Sequence, residues 1–272
     1  MKAGEKDSLW LGQRGRAVVR RAMWLSILVF VALSAWVVLG QLIFGLGIEL
    51  RTILVPSSNI HVFLALTSGA VAVLLAALYF SDFQGMIEPE PDGFFDIFSL
   101  VVSRLTMIAI VAILCVMLFE VVMRYVFSKP TLWANELSLW IAGFVFMLAG
   151  LYAMQQRSHI RIFIVYDMLP RWARKASDTL SVALIWVFTV ALIWGSYNEA
   201  KAKYLRWETF GTAWDPPLPA TIKPAILLFM VLVAIQALSN LIADWNKAPE
   251  SHSPVDDIDE AEIEQIRKAV GN

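Results

Sequence analysis

The sequence predicts an all-α membrane protein in which six helices cross the bilayer. Hydrophobic residues make up 58% of the 272 positions, whereas soluble domains contain about 45–50%, and the mean hydropathy is +0.65. The excess lies in six apolar runs, each close to the ~20 residues that cross a bilayer as a helix. The expected spans are residues 22–48, 60–80, 98–119, 137–154, 179–197 and 225–243.

The first two spans are expected to form a hairpin at residues 22–80. Arg20 and Arg21 precede the first span, as basic residues precede the apolar region of a signal peptide. This apolar stretch is longer than the ~7–15 residues of a signal peptide, and no clear A-x-A cleavage site follows it. We therefore expect the first span to be a retained transmembrane helix.

An acidic linker separates this hairpin from the following spans. The stretch GMIEPEPDG at residues 85–93 contains Gly and Pro, which interrupt helices. The predicted organisation is therefore a basic N-terminus (1–21), a two-helix hairpin (22–80), an acidic linker (81–97), a four-helix core (98–247) and an acidic tail (248–272).

The distribution of basic residues predicts that both termini are cytoplasmic. With six spans, fifteen of the 22 Lys and Arg residues fall on the side of the N-terminus, and seven fall on the opposite side. Cytoplasmic loops of membrane proteins carry the excess of Lys and Arg. The net charge of −1 implies no nucleic-acid partner.

The span interiors lack the groups that transport or redox chemistry requires. No Asp, Glu, Lys, Arg or His lies in the middle of a span, although intramembrane ion pathways use such groups. The three histidines, His61, His159 and His252, are not placed to ligate a membrane haem on facing helices. We therefore expect no catalytic residue, no cofactor and no metal. The pattern favours a non-enzymatic accessory or scaffold subunit.

Small and mildly polar residues in the spans are interpreted as packing contacts. Ser138, Thr189 and Gln236 can hydrogen-bond across helices or to their own backbone. Gly143 and Gly150 in the fourth span are interpreted as sites of close helix packing. None of these residues is expected to handle a substrate.

Charged residues gather at the turn between the third and fourth spans. Glu120 and Arg124 are four residues apart, so they share a helix face and can pair. Trp133 suits a membrane interface, and Glu136 falls near the next helix start, where the helix dipole favours an anion. The pattern is typical of a capped helical hairpin. The alternative interpretation is a surface that contacts a partner protein.

The basic connector QQRSHIRIFIVYDMLPRWARK (residues 155–175) has two interpretations. Anionic lipid can hold such a segment at the membrane surface. Alternatively, it forms an amphipathic interfacial helix that braces a partner.

The loop between the last two spans is the second candidate contact surface. Residues 198–206 can extend the fifth helix beyond the membrane, and four prolines stiffen the return at residues 216–224. Arg206 and Trp207 suit a docking edge, where Arg and aromatic residues concentrate. The alternative is a rigid loop without a partner.

The stretch EVVMRYVFSKPTLWANELSLWIAGFVFMLAGLYAMQQRSHIRI (residues 120–162) resembles a known family. It is similar to the small membrane subunit, the DctQ type, of tripartite ATP-independent periplasmic (TRAP) transporters. WETFGTAWDPPLPATIKPAILLF (residues 207–229) resembles that family's last loop and final helix, so the resemblance covers roughly residues 95–247. The matching positions of the first stretch and its continuation are Glu120, Arg124, Tyr125, Trp133, Glu136, His159, Ile160, Asp167 and Pro170.

The resemblance implies a bacterial inner-membrane scaffold with two protein partners. One is a large membrane subunit that carries the substrate and ion sites and moves by an elevator motion. The other is a periplasmic binding protein that delivers an organic acid, typically a carboxylate. Membrane lipid is a further expected partner. Glu120, Arg124, Trp133, Glu136, Arg206 and Trp207 are the predicted partner-interface residues.

The chain departs from the family pattern by its added hairpin at residues 22–80, since the family's usual small subunit has four spans. Two alternatives to a transporter subunit remain. A membrane anchor of a redox enzyme would carry a haem or flavin signature in its complex, and the histidine positions disfavour it. A self-sufficient channel or carrier would transport alone, and the absence of intramembrane charge disfavours it.

Overall fold

The computed structural model describes residues 8–45, 59–83, 91, 93–156 and 169–245. Within these ranges the chain forms α-helices and no strand, and each of six helices is long and apolar enough to cross a membrane. The predicted all-α fold is therefore confirmed. The helices are α1 (Gly12–Phe44), α2 (Ile60–Ser81), α3 (Phe94–Tyr125), α4 (Ala134–Gln155), α5 (Arg171–Leu205) and α6 (Leu218–Asp244).

Several helices are longer than the spans expected from hydropathy, because their polar ends project past the hydrocarbon core. α5 contains 35 residues. This corresponds to about 52 Å at ~1.5 Å per residue, whereas the core is ~30 Å thick. The first turn of α5 carries Arg171 and Arg174, and its last turns carry Lys201 and Lys203. The expected helical continuation of the fifth span is confirmed as far as Leu205.

The six helices lie side by side in a row. The hairpins α1–α2, α3–α4 and α5–α6 have the most extensive contacts, and the row runs α1, α2, α3, α4, α6, α5. The two outermost helices, α1 and α5, each have only 6% of their most apolar window buried. Much of the apolar surface of the row is therefore left uncovered by the described part of the chain.

A small apolar core joins α3, α4 and α6. Val102 of α3 is buried together with Leu148 and Leu151 of α4, and Phe229 and Val233 of α6 pack against them. This core lies within the part of the row that was predicted as the four-helix unit.

Two glycines allow close helix contacts. A Cβ on Gly69 in α2 would lie 2.8 Å from the ring of Phe30 in α1, and a Cβ on Gly143 in α4 would lie 2.8 Å from the Ile222 side chain in α6. The packing interpretation of Gly143 is therefore confirmed. For Gly150 it is wrong, because a Cβ there would meet no heavy atom within 4 Å.

The helix ends fall into two groups. The near end of the row contains the starts of α1, α3 and α5 and the ends of α2, α4 and α6. The far end contains the ends of α1, α3 and α5 and the starts of α2, α4 and α6. Most of the ion pairs and side-chain hydrogen bonds between segments lie toward these two ends, where the candidate sites are found.

Candidate functional site

Glu120 is a buried carboxylate at the far end of α3. Its side chain is only 3% exposed. One oxygen accepts hydrogen bonds from Arg124 Nε at 3.1 Å and Nη2 at 2.6 Å. The other accepts from the Thr131 backbone N–H at 3.0 Å and from the Thr131 hydroxyl. Glu120 therefore holds the α3–α4 turn against the end of α3. The predicted Glu120–Arg124 pair is present, whereas the bonds to Thr131 were not foreseen.

The outer surface of this turn presents a cation and an aromatic pair. The side chain of Arg124 is 44% exposed. Trp133 stacks on Phe119 with the ring centroids 5.8 Å apart and the ring planes 29° apart, and Phe119 is 45% exposed. The turn thus offers a half-exposed guanidinium beside an apolar stack.

Glu136 lies in the first turn of α4, as predicted, and it connects α4 to the α5–α6 loop. Its carboxylate accepts a hydrogen bond from the Asp215 backbone N–H at 3.2 Å. Asp215 has a positive φ of 61°, and its side chain accepts from the Gly211 N–H at 2.7 Å. The carboxylate therefore helps to hold this loop over the start of α4.

The α5–α6 loop begins with an ion-paired turn. Lys203 donates to Glu208 at 2.5 Å, and Arg206 lies 3.4 Å from the same carboxylate. The hydrogen bond from Lys203, followed by the positive charges of Lys203, Arg206 and Lys223, lowers the pKa of Glu208 below its ordinary value, and partial desolvation opposes this shift. The carboxylate thus stays charged at neutral pH and fixes the turn.

Arg206 and Trp207 are both accessible at this turn. The Arg206 side chain is 69% exposed, and Trp207 is 43% exposed. Trp207 has a positive φ of 49°, and its ring packs edge-on against Tyr204 at 6.2 Å. A positive φ is uncommon for a bulky residue. The aromatic ring of Trp207 is partly exposed to solvent.

The structure places all six predicted interface residues at the far end, on helix ends and on the two neighbouring loops. Glu120 and Arg124 lie at the end of α3, and Trp133 lies in the α3–α4 turn. Glu136 contacts the second loop. That loop carries Arg206 and Trp207.

At the near end, sequence reasoning missed a buried carboxylate, Asp82. This residue follows α2 and is fully buried. Its Oδ1 accepts from the Ser8 hydroxyl at 2.9 Å and from the backbone N–H groups of Trp10 and Leu11 at 3.0 Å each. Its Oδ2 lies 3.2 Å from Arg16 Nε. These five residues, the Asp82 cluster, hold the start of α1 against the end of α2.

Arg104 of α3 joins the hairpin to the remaining helices. Its guanidinium donates to the backbone carbonyls of Phe80 at 3.3 Å and Phe83 at 2.9 Å. Phe80 lies in the last turn of α2 and Phe83 just beyond it, where a helix has carbonyls without intrahelical partners. The Arg16 guanidinium also lies 3.8 Å from the centroid of the Phe83 ring. In the sequence, the only sign of these near-end contacts was an acidic residue, Asp82, directly after an apolar run.

A second buried network at the near end involves α3, α4 and α6. Gln236 donates to Asp96 at 2.8 Å and to Asn240 at 3.0 Å, and it accepts from the Ser99 hydroxyl at 2.9 Å. Asn240 donates to the Met154 carbonyl at 2.6 Å. Sequence analysis had singled out Gln236 as a possible cross-helix contact, and this interpretation is confirmed. Asp96, Ser99, Gln236 and Asn240 are called the Gln236 network below.

Several predicted features lie outside the described residues. They include His159, Ile160 and Asp167, most of the acidic linker and the acidic tail. Within the described ranges, no group of three or more His, Cys, Asp or Glu side chains is placed to hold a metal ion.

The six apolar helices define a multi-pass membrane protein, and comparisons with known proteins place it among transporter components. Residues 113–247 match the family described as "Tripartite ATP-independent periplasmic transporters, DctQ component". These matched residues run from within α3 to just beyond α6, so the first hairpin lies outside them. The chain is thus a DctQ-type component of the TRAP transporters, a class of the bacterial inner membrane, and the resemblance found in the sequence is confirmed.

One curated relative supports this assignment. The chain is 27% identical over 106 residues to the "C4-dicarboxylate TRAP transporter small permease protein DctQ" of Vibrio cholerae serotype O1 (strain ATCC 39315 / El Tor Inaba N16961). The aligned part covers 37% of this chain and 43% of the relative. The match therefore spans less than half of the relative's length.

Proposed function

We propose that this chain is the non-catalytic scaffold subunit of a TRAP-type secondary transporter. The observation that supports this role best is the open row of helices, whose apolar surface is left largely uncovered by the described residues. Buried polar groups at its two ends, among them Glu120, Asp96 and Gln236, hydrogen-bond to other side chains and to neighbouring backbone. Such a row suits a rigid support for a larger membrane subunit.

The proposed partners are a large membrane subunit and a periplasmic binding protein that delivers an organic acid. The DctQ match supports a partnership of this kind. The name of the V. cholerae relative refers to C4-dicarboxylates, and a carboxylate is accordingly the substrate class proposed for this transporter. The large subunit would bear the substrate and ion sites, since the spans here lack ionisable groups in their middles.

The proposed orientation places the near end in the cytoplasm and the far end in the periplasm. The excess of Lys and Arg on the side of the N-terminus supports it. With this orientation, the exposed Arg206 and Trp207 face the compartment of the binding protein.

The six far-end residues are proposed to serve the partner interface in two ways. Arg124, Trp133, Arg206 and Trp207 offer side-chain surface for direct contact. Glu120 and Glu136 act indirectly, because their carboxylates hold the two loops in place.

The hairpin α1–α2 is proposed as an addition that widens the scaffold beyond the four-helix core at residues 98–247. Its position outside the matched family region supports this division. The Asp82 cluster holds α1 to α2, and Arg104 attaches the end of this hairpin to α3. The polar segments 1–21, 81–97 and 248–272 would then flank and link these two units.

The test is co-expression of the full-length chain with a large TRAP permease subunit from the same organism, followed by purification and reconstitution with the binding protein. We expect a stable complex in near-equal amounts, and dicarboxylate uptake that disappears when this chain is left out. Uptake by the large permease alone at the same rate, without co-purification, would refute the scaffold role. A haem or flavin spectrum in the purified complex would instead indicate a redox partner.

The docking surface has its own test in the same vesicles. Replacing Arg206→Ala and Trp207→Ala together is expected to lower uptake while the chain remains in the complex, because both side chains are exposed. The matched control is Lys129→Gln, a change of an exposed cation on the neighbouring turn. Equal uptake by the double variant and the control would contradict the docking role.

A further inference from the structure

An apolar groove lies between α4, α5 and α6. Both α4 and α5 pack against α6, and the space between them has a volume of about 490 Å³. Its walls are apolar side chains, together with Gly150 of α4. Representative lining residues are Met154 of α4, Leu184 and Ile185 of α5, and Phe229 and Met230 of α6.

Gly150 helps to keep this groove open. A Cβ at this position would meet no heavy atom within 4 Å, so a larger side chain would enter the groove without a clash. The space beside Gly143, two turns away on α4, is instead occupied by the side chain of Ile222 of α6. The groove is thus a local gap in an otherwise close α4–α6 contact.

Basic residues lie in line with the groove at the near end. Arg174 precedes Ile185 by eleven residues of continuous helix. This is about three turns, so both residues occupy the same face of α5, roughly 16 Å apart along the axis. One leaflet of the hydrocarbon core is about 15 Å thick. A lipid headgroup beside Arg174 would therefore place its acyl chain end near Ile185.

The surroundings of Arg174 favour an anionic headgroup. The first five residues of α5 include Arg171, Arg174 and Lys175 and no acidic residue. Arg174 Nε donates to the Leu169 carbonyl at 2.9 Å, which positions its guanidinium at the start of α5. Lys175 lies 4.7 Å from the ring centroid of Trp245, and this contact connects the start of α5 to the end of α6. Asp178 and Asp244 are the acidic residues on these helix ends, so the cations remain in excess.

We propose that the groove binds one acyl chain of an anionic phospholipid whose phosphate contacts Arg174 and Arg171. Basic pockets between transmembrane helices bind such headgroups. The basic start of α5 lies in line with the groove, and this favours a lipid with an anionic headgroup over a wholly apolar partner helix. This proposal is independent of the proposed scaffold role.

The experiment uses the full-length chain in nanodiscs of phosphatidylcholine. A small fraction of phosphatidylglycerol with a photoactivatable group near the end of one acyl chain is added, and the crosslinked peptides are mapped by mass spectrometry. We expect labelling concentrated at residues 146–154, 184–188 and 226–233. Photoactivatable phosphatidylcholine at the same fraction should label these peptides several-fold less. Equal labelling by both lipids would overturn the proposed preference for an anionic lipid.

Two variants test the groove and the headgroup contact separately. Gly150→Leu fills the groove and should reduce labelling there to the level of the α1 surface. Its matched control is Gly195→Leu on α5, which also meets no heavy atom within 4 Å and lies outside the groove lining. Arg174→Gln should lower the preference for phosphatidylglycerol about fivefold, the size expected for one basic residue at an anionic surface.

The remaining outcomes overturn the proposal. Unchanged labelling in Gly150→Leu would mean that the lipid lies elsewhere. An unchanged lipid preference in Arg174→Gln, which alters a polar helix end, would remove the role of that residue. Labelling of the groove peptides by photoactivatable phosphatidylglycerol no stronger than labelling of α1 would show that the groove holds no acyl chain.

Discussion

The near and far ends of the helix row use buried carboxylates in different ways. At the near end, Asp82 and Asp96 connect different helices, namely α2 to the start of α1 and α3 to α6. At the far end, Glu120 and Glu136 hold loops against helix ends. The carboxylates of the near end therefore link helices to one another, whereas those of the far end hold two loops in place.

This difference suggests a division of roles. Polar contacts between helices add association energy that apolar packing alone does not provide in lipid. Polar contacts within loops fix the positions of exposed side chains such as Arg124 and Arg206. Changes at the near end should thus impair folding most, and changes at the far end should act mainly on partner contacts.

The largest effect is expected from Asp82→Ala. It removes the acceptor of three hydrogen bonds and the partner of Arg16. Loss of one member of a buried ion pair costs about 3–5 kcal/mol. The free energy of unfolding, measured by SDS titration of detergent-solubilised protein, should fall by this amount, and the first hairpin should become sensitive to protease.

The control for this change is Glu199→Gln at the far end. Glu199 pairs with Lys223, but its side chain is 58% exposed, and exposed ion pairs contribute little to stability. We expect no resolvable change in unfolding for this variant. If Asp82→Ala unfolds like the control, the Asp82 cluster does not hold the hairpin.

A smaller loss of stability is expected from Gln236→Leu. The variant keeps a similar side-chain size but removes the acceptor of Ser99 and a donor to Asp96. A buried polar group left without its partner costs about 1–3 kcal/mol. The same unfolding titration measures the change. Ser181→Ala is the matched control, because that exposed hydroxyl only donates to its own helix backbone. Equal stability of the two variants would contradict the proposed importance of the network.

Glu120→Gln should affect the α3–α4 turn more than the fold as a whole. An amide keeps one acceptor oxygen, so it cannot accept from both Arg124 and Thr131 as the carboxylate does. We expect faster proteolysis at residues 126–133 and weaker co-purification with the large permease.

The neighbouring variant Lys129→Gln provides the comparison for this turn. It removes an exposed charge from the same loop but leaves the Glu120 contacts intact. If both variants are cleaved and co-purified like the unmodified protein, Glu120 has no role in shaping a partner surface.

The smallest effect is expected from acidification of the α5–α6 loop. The pKa of Glu208 lies below its ordinary value of 4.5, chiefly because Lys203 hydrogen-bonds to the carboxylate. The folded state therefore favours the charged form. Its contribution to stability is present above pH 4.5 and is lost as the pH falls through the lowered pKa.

Carbon-13 NMR of glutamate-labelled protein can follow this titration. Lys203→Met should return the pKa of Glu208 towards its ordinary value, while the rest of the fold is retained. Titration of Glu208 at the same pH in both proteins would show that Lys203 does not set its charge state.

Contacts between residues that are close in the chain could be predicted from the sequence. The Glu120–Arg124 pair follows from a spacing of four residues on one helix. The position of Glu136 in the first turn of α4 follows from the start of an apolar run. The exposed surfaces of Arg206 and Trp207 agree with a polar loop, but their role in partner binding stays a prediction.

The sequence by itself determined the six helices, because a bilayer of fixed thickness requires about 20 apolar residues for each crossing. Only the tertiary structure decided which helix faces meet. Asp82 and Ser8 are 74 positions apart, and Gln236 and Asp96 are 140 apart. Gly143 packs closely while Gly150 borders a groove, although both lie in the same apolar run. In lipid, a face that contacts a neighbouring helix and a face that contacts acyl chains are equally apolar, so hydropathy does not distinguish them.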